Sequence, residues 1–152
     1  MQYVRFRSRF PNAAGLQVGV FGLVNVLGRH GMLTPDEERF RRENNAWYDA
    51  AYPDPCTVDP AVYDPDSHPG AAAWFKAAST ALIARIAGYL DILDAHRIAW
   101  EEVRTTDPGT IIYEDQYQIV ATPGEAREHA GRAAGAHVAR SSPRTCGSGG
   151  QI

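Results

Sequence analysis

Lysine is almost absent from this chain: Lys76 is the only one, and the other cationic side chains are arginines. With a formal net charge of -3, the sequence lacks the clustered positive surplus that non-specific binding to nucleic acid or to an anionic membrane surface requires. Cysteine is equally scarce. Cys56 and Cys146 form neither a disulfide framework nor a paired metal spacing, so a reducing, cytoplasmic setting is expected. Long apolar runs are missing too. "VGVFGLVNVL", Val18 to Leu27, is about half the length of a bilayer-spanning helix, and "MQYVRFRSRF" has no apolar stretch of the kind a secretory leader carries. There is no phosphate-cradling loop with its lysine and no GxSxG elbow. "GLQVGVFG" has the wrong glycine spacing for a dinucleotide fingerprint, so no cofactor is expected.

The chain has 152 residues, 44% of them hydrophobic, enough for one ordinary core. Its richness in arginine and alanine points to a GC-rich, bacterial coding genome. After Val120 the composition changes. Residues 123–152 contain Val138 as the only bulky aliphatic before Ile152, too little apolar surface to offset ordering entropy. The expectation is a single globular domain over residues 1–122 and a flexible, low-complexity tail over 123–152.

Within the domain, Tyr3 to Phe10 alternates with period two, Val4, Phe6 and Phe10 on one face and Tyr3, Arg5, Arg7 and Arg9 on the other, which predicts a strand. Leu16, Val20, Leu23, Val24 and Leu27 recur at helical spacing and predict a helix over 16–29. "TPDEE" marks a second helix from Thr34, with Pro35 at its first position and Glu37 closing a capping box. It runs to Ala51 with Phe40, Asn44, Trp47 and Ala51 on its inner stripe. A third helix is predicted from Ala71 to His96. "IAWEEVR", "TIIY" and "YQIVA" then predict a strand and a hairpin. The sum is an α+β fold: a small antiparallel sheet, made of the N-terminal strand and the C-terminal hairpin, with about three helices on one face.

"YPDPCTVDPAVYDPDSHPG", residues 52–70, repeats Asp-Pro every fifth residue at Asp54, Asp59 and Asp64. Each pair is a turn initiator, so the favoured reading is an ordered cover whose Tyr52, Val58, Val62 and Tyr63 plug the core. The sharper reading is a site lid offering Asp54, Asp59, Asp64, Asp66 and His68. No metal site is expected. "DPDSHPG" lacks the later ligands of a calcium loop, and His68 with Cys56 has no third partner close in sequence for zinc. Cys56 activated by His68 is a chemically possible nucleophile.

The strongest composite site joins Arg5, Arg7 and Arg9, as anchors for a small anionic ligand, to Asn44, Trp47, Tyr48, Tyr52 and Tyr63 as a polar and aromatic wall. Glu101 or Glu102 and Glu114 are the expected strand partners of the arginines. Two functions follow. The first is a binding or interaction module that docks a protein partner or self-associates. The alternative is a small enzyme acting on an anionic or polar metabolite held by the strand arginines under the Asp-Pro loop, with His68, Asp54, Asp64, Glu114 or Cys56 as the reacting group.

Overall fold

The computed structural model describes residues 1–124; the expected tail, apart from its first two residues, lies outside the described residues. The order is β1 (Tyr3–Ser8), α1 (Val20–Arg29), α2 (Pro35–Ala51), β2 (Ala72–Lys76), α3 (Thr80–Ala84), α4 (Ala87–Ala95), β3 (Trp100–Thr105), β4 (Thr110–Glu114) and β5 (Gln118–Thr122). The strands form one antiparallel sheet in the order β3-β1-β2-β5-β4. The α+β class and the packing of helices on one sheet face agree with the sequence.

Two predicted elements differ. Residues 16–19 lie outside the helix, with Gly19 extended at its N-cap, and α1 begins at Val20. The predicted long third helix is instead a central strand followed by two short helices. "AAWFK" is strand because β2 is covered on both faces, so its residues need not alternate. Phe75 joins the helical core while Trp74 points to the opposite face with Tyr3, Ile119 and Ala121. Phe10, placed by its period on the inner face of the first strand, lies beyond the end of β1 and is 68% exposed.

The sheet is curled. β3 and β4 occupy opposite edges, four strand spacings or roughly 19 Å apart if flat. Only residues 106–109 join them, and five Cα steps reach at most roughly 18 Å. The edges must therefore bend toward each other about the Trp74 face. Consistently, Val103 of β3 packs in the same cluster as Ile119 and Ala121 of β5. Gly109 sits in this joining segment with φ +103°, and a Cβ there would lie 2.0 Å from the Thr122 carbonyl oxygen.

The convex face carries the helices. α2 starts as predicted: Thr34 Oγ1 accepts from the Glu37 backbone N–H, and the Glu37 carboxylate accepts from the Thr34 N–H. His96 at the end of α4 lies 2.9 Å from that carboxylate, and this hydrogen bond is the main cause holding Glu37 below the usual carboxylate range. Inside, a polar bridge joins three helices. Asn25 Oδ1 of α1 accepts from Asn45 Nδ2 at 2.9 Å and from Arg41 Nη1 at 3.2 Å, while Asn45 Oδ1 accepts from the Tyr89 hydroxyl of α4 at 2.8 Å. Tyr89 is fully buried and stacks near Phe21 and Phe40.

The buried α2 amide is thus Asn45, where the predicted stripe placed Asn44. Asn45→Ala strands the Tyr89 hydroxyl and should destabilise the fold by about 1–3 kcal/mol in urea titration, whereas Asn44→Ala should stay within about 0.5 kcal/mol of the parent. Gly109→Ala, strained in φ and in contact, should cost at least about 1–3 kcal/mol in the same assay; a neutral result would refute the tight β3–β4 crossing.

Candidate functional site

The Asp-Pro stretch is ordered by its own aspartates. Asp54 Oδ1 accepts from the Cys56 N–H at 2.8 Å, Asp59 Oδ1 from the Ala61 N–H at 2.9 Å, and Asp64 from the Ser67 N–H at 3.1 Å and the Ser67 hydroxyl at 2.6 Å. Each carboxylate folds onto the backbone two or three residues ahead, as Asx turns do. The Ser67 hydroxyl chiefly accounts for the lowered pKa of Asp64. His68 Nε2 stands 3.7 Å from Asp59 Oδ2.

Cys56, Val62 and Tyr63 of this loop are buried against Val120, on the helical side of the sheet. Tyr52 is buried in the main core. Val58, expected among the plugs, is instead 72% exposed; it caps the short 3-10 turn Pro55–Thr57. Cys56 is disulfide-bonded, and the other cysteine, Cys146, lies outside the described residues. This corrects two expectations: the chain is not thiol-only, and the Cys56 sulfur has no proton for His68 to remove.

The arginines lie elsewhere. Arg5 faces the concave side, its guanidinium carbon 5.8 Å from the Trp74 ring centroid and its Nη2 donating to the Gln17 carbonyl at 2.7 Å. Arg7 forms an ion pair with Glu101 at 2.8 Å, as predicted. Glu114 pairs with Lys76 at 2.6 Å rather than with an arginine. Arg9 is exposed past the end of β1. The sheet itself therefore separates Arg5 and Arg7 from the Asp-Pro loop, and the composite pocket expected from the sequence is not assembled.

Its polar and aromatic wall divides as well. Tyr48 is buried and its hydroxyl donates to the Leu82 carbonyl at 2.6 Å; burial raises its pKa. Asn44 and Trp47 lie nearer the surface. Asn44 Nδ2 donates back to the Phe40 carbonyl, and its Oδ1 accepts from Arg85 Nη1 at 3.2 Å. The Arg85 guanidinium carbon lies 4.0 Å from the Trp47 ring centroid. This trio ties α2 to the α3–α4 junction.

Two atoms beneath the loop stand out. The Tyr52 hydroxyl and Gln118 Oε1 are buried without a hydrogen-bond partner among the described residues. The Gln118 amide orientation is set by Nε2, which donates to the Pro53 carbonyl at 2.9 Å and to Asp115 Oδ2 at 3.1 Å. Sequence reading missed Gln118 because a glutamine in a strand gives no periodic signal of its own. One carboxyl is displaced upward: Asp49, by loss of solvation and then by the neighbouring Asp54 charge. Among the described residues no group of three or more His, Cys, Asp or Glu is placed to hold a metal ion, and no helix is long and apolar enough to cross a membrane.

Comparison with known proteins adds no relative: no protein-family model, no curated protein and no solved structure matches this chain.

The Arg85–Trp47 contact yields a measurable coupling. A double-mutant cycle of Arg85→Ala and Trp47→Ala in chemical denaturation should return about 0.5–1 kcal/mol, the range of exposed cation–π pairs; additive effects would mean that the stacking contributes nothing.

Proposed function

We propose that the protein is a small interaction module that associates with itself through its exposed apolar surface. The observation that carries this reading is the β1–α1 loop, where Phe10 is 68% exposed and Leu16 51% exposed. Exposed apolar side chains on a mobile loop would mean little. Here the loop is braced: Asn12 Oδ1 accepts from the Ala14 and Leu16 N–H groups at 2.9 and 3.0 Å, and the Asn12 N–H donates to the Leu16 carbonyl at 2.8 Å. Preordered apolar groups lose little freedom on docking, which favours their use in interfaces.

A second reading retains one support. The partnerless Tyr52 hydroxyl and Gln118 carbonyl offer a donor and an acceptor to a small polar ligand beneath the Asp-Pro loop. The strand arginines take no part in that reading. A cytoplasmic setting fits the scarcity of cysteine, but the disulfide at Cys56 favours an oxidising compartment, where such bonds persist.

Sedimentation velocity over a wide concentration range tests the primary reading. The mean mass of the wild type should rise with concentration. A Phe10→Ser/Leu16→Ser variant should associate more weakly at an unchanged melting temperature. A wild type that stays monomeric throughout would end the self-association reading, and native mass spectrometry showing a ligand adduct lost in Tyr52→Phe would establish the second.

A further inference from the structure

We infer that the outer edge of β3 is the docking site for a second copy of this chain, in one antiparallel register centred on Val103. The two edges of the sheet are not equivalent. β4 carries a register shift between Ile111 and Tyr113, and such bulges spoil a strand edge for further pairing. β3 pairs with β1 through six consecutive residues without interruption, from Trp100 to Thr105. Its backbone is regular enough to accept another strand.

Ladder geometry says which groups are on offer. The Arg9 N–H donates to the Ala99 carbonyl at 3.0 Å, and hydrogen-bonded pairs alternate along an antiparallel ladder. Counting from Ala99, Glu101, Val103 and Thr105 turn their N–H and C=O groups toward β1. Trp100, Glu102 and Arg104 turn theirs outward. A second β3 must bring its own outward residues opposite these, which restricts two-fold registers to those centred on Glu101, Glu102, Val103 or Arg104.

Charge decides among the four. Centring on Glu101 or on Glu102 sets two glutamates face to face, and centring on Arg104 sets two arginines face to face, all destabilising. Centring on Val103 sets Glu102 opposite the Arg104 of the second copy, and Arg104 opposite its Glu102. Both side chains are exposed and already joined within the strand, so the dimer extends this pair into an alternating group of four charges. On the concave side the two Val103 side chains meet, each continuous with the Tyr3, Trp74, Ile119 and Ala121 cluster. Charges on an edge strand ordinarily prevent pairing; here their order makes the edge complementary to itself in one register only.

The inference rests on the self-association reading and sharpens it. The test uses Glu102→Arg and Arg104→Glu, singly and mixed, in sedimentation velocity with native mass spectrometry. Each variant alone opposes like charges and should weaken dimerisation about tenfold or more. Mixed in equal amounts, the two variants oppose unlike charges at both positions, and should recover wild-type association as a one-to-one heterodimer. That recovery also excludes misfolding as the cause of the single-variant losses. A wild-type dimer that neither substitution weakens, or a mixture that fails to associate, overturns the β3 proposal alone. A wild type that is monomeric at every concentration overturns the proposal together with the reading beneath it.

Discussion

The short step from β3 to β4 constrains everything else in this fold. Four residues, 106–109, carry the chain from one sheet edge to the other, and a flat sheet would place those edges beyond their reach. Curling closes the distance and creates two unlike faces. The concave face is small and fills with Tyr3, Trp74, Ile119 and Ala121. The convex face is large enough to carry α1, α2 and α4, with Val4, Phe6 and Phe75 beneath them. Gly109 makes the crossing possible, since it adopts positive φ and lies against the Thr122 carbonyl with no room for a Cβ.

Much of this was legible in the sequence where a local signal and the tertiary environment agree. The capping box at Thr34 and Glu37 states its helix start in four residues, and the alternation of β1 states which of its residues face the helices. The failures came where composition and environment disagree. "AAAWFKAASTALIARIAG" is rich in helix formers, and nothing in its pattern announces that Trp74 and Phe75 will both be buried, on opposite faces of a central strand. Asn44 and Asn45 show the same limit at the scale of one residue. A step of one along a helix turns a side chain by roughly 100°, and that step separates an amide touching Arg85 at the surface from one bridging Asn25 and Tyr89 in the core.

The candidate site is less legible than the fold because chemical type is what the sequence displays, and type does not determine face. Arg5 and Arg7 fall on the opposite side of the sheet from the Asp-Pro loop, a fact set by strand parity and by the β1–β2 register. The loop's aspartates have the chemistry of ligands, but Asp54, Asp59 and Asp64 already hold their own backbone. In Asp54 and Asp59 the turn engages Oδ1 alone, so the feature that orders the loop leaves each of these carboxylates one oxygen outside the turn. The loop's remaining novelty is the disulfide at Cys56, which ties a segment that turns back on itself three times.

The self-association reading draws on two surface features, one apolar and one self-complementary in charge. Phe10 and Leu16 project from a braced loop whose first residues continue β1 beside Ala99, the residue preceding β3. The loop and the β3 edge therefore belong to one side of the molecule. An interface there would combine directional backbone pairing, which sets register, with apolar side chains, which supply affinity. The order Glu102, Val103, Arg104 is what limits such pairing. With glutamate in place of Arg104, the order Glu, Val, Glu would repel a copy in every two-fold register available to that edge, and the edge would then serve only to keep the chain single.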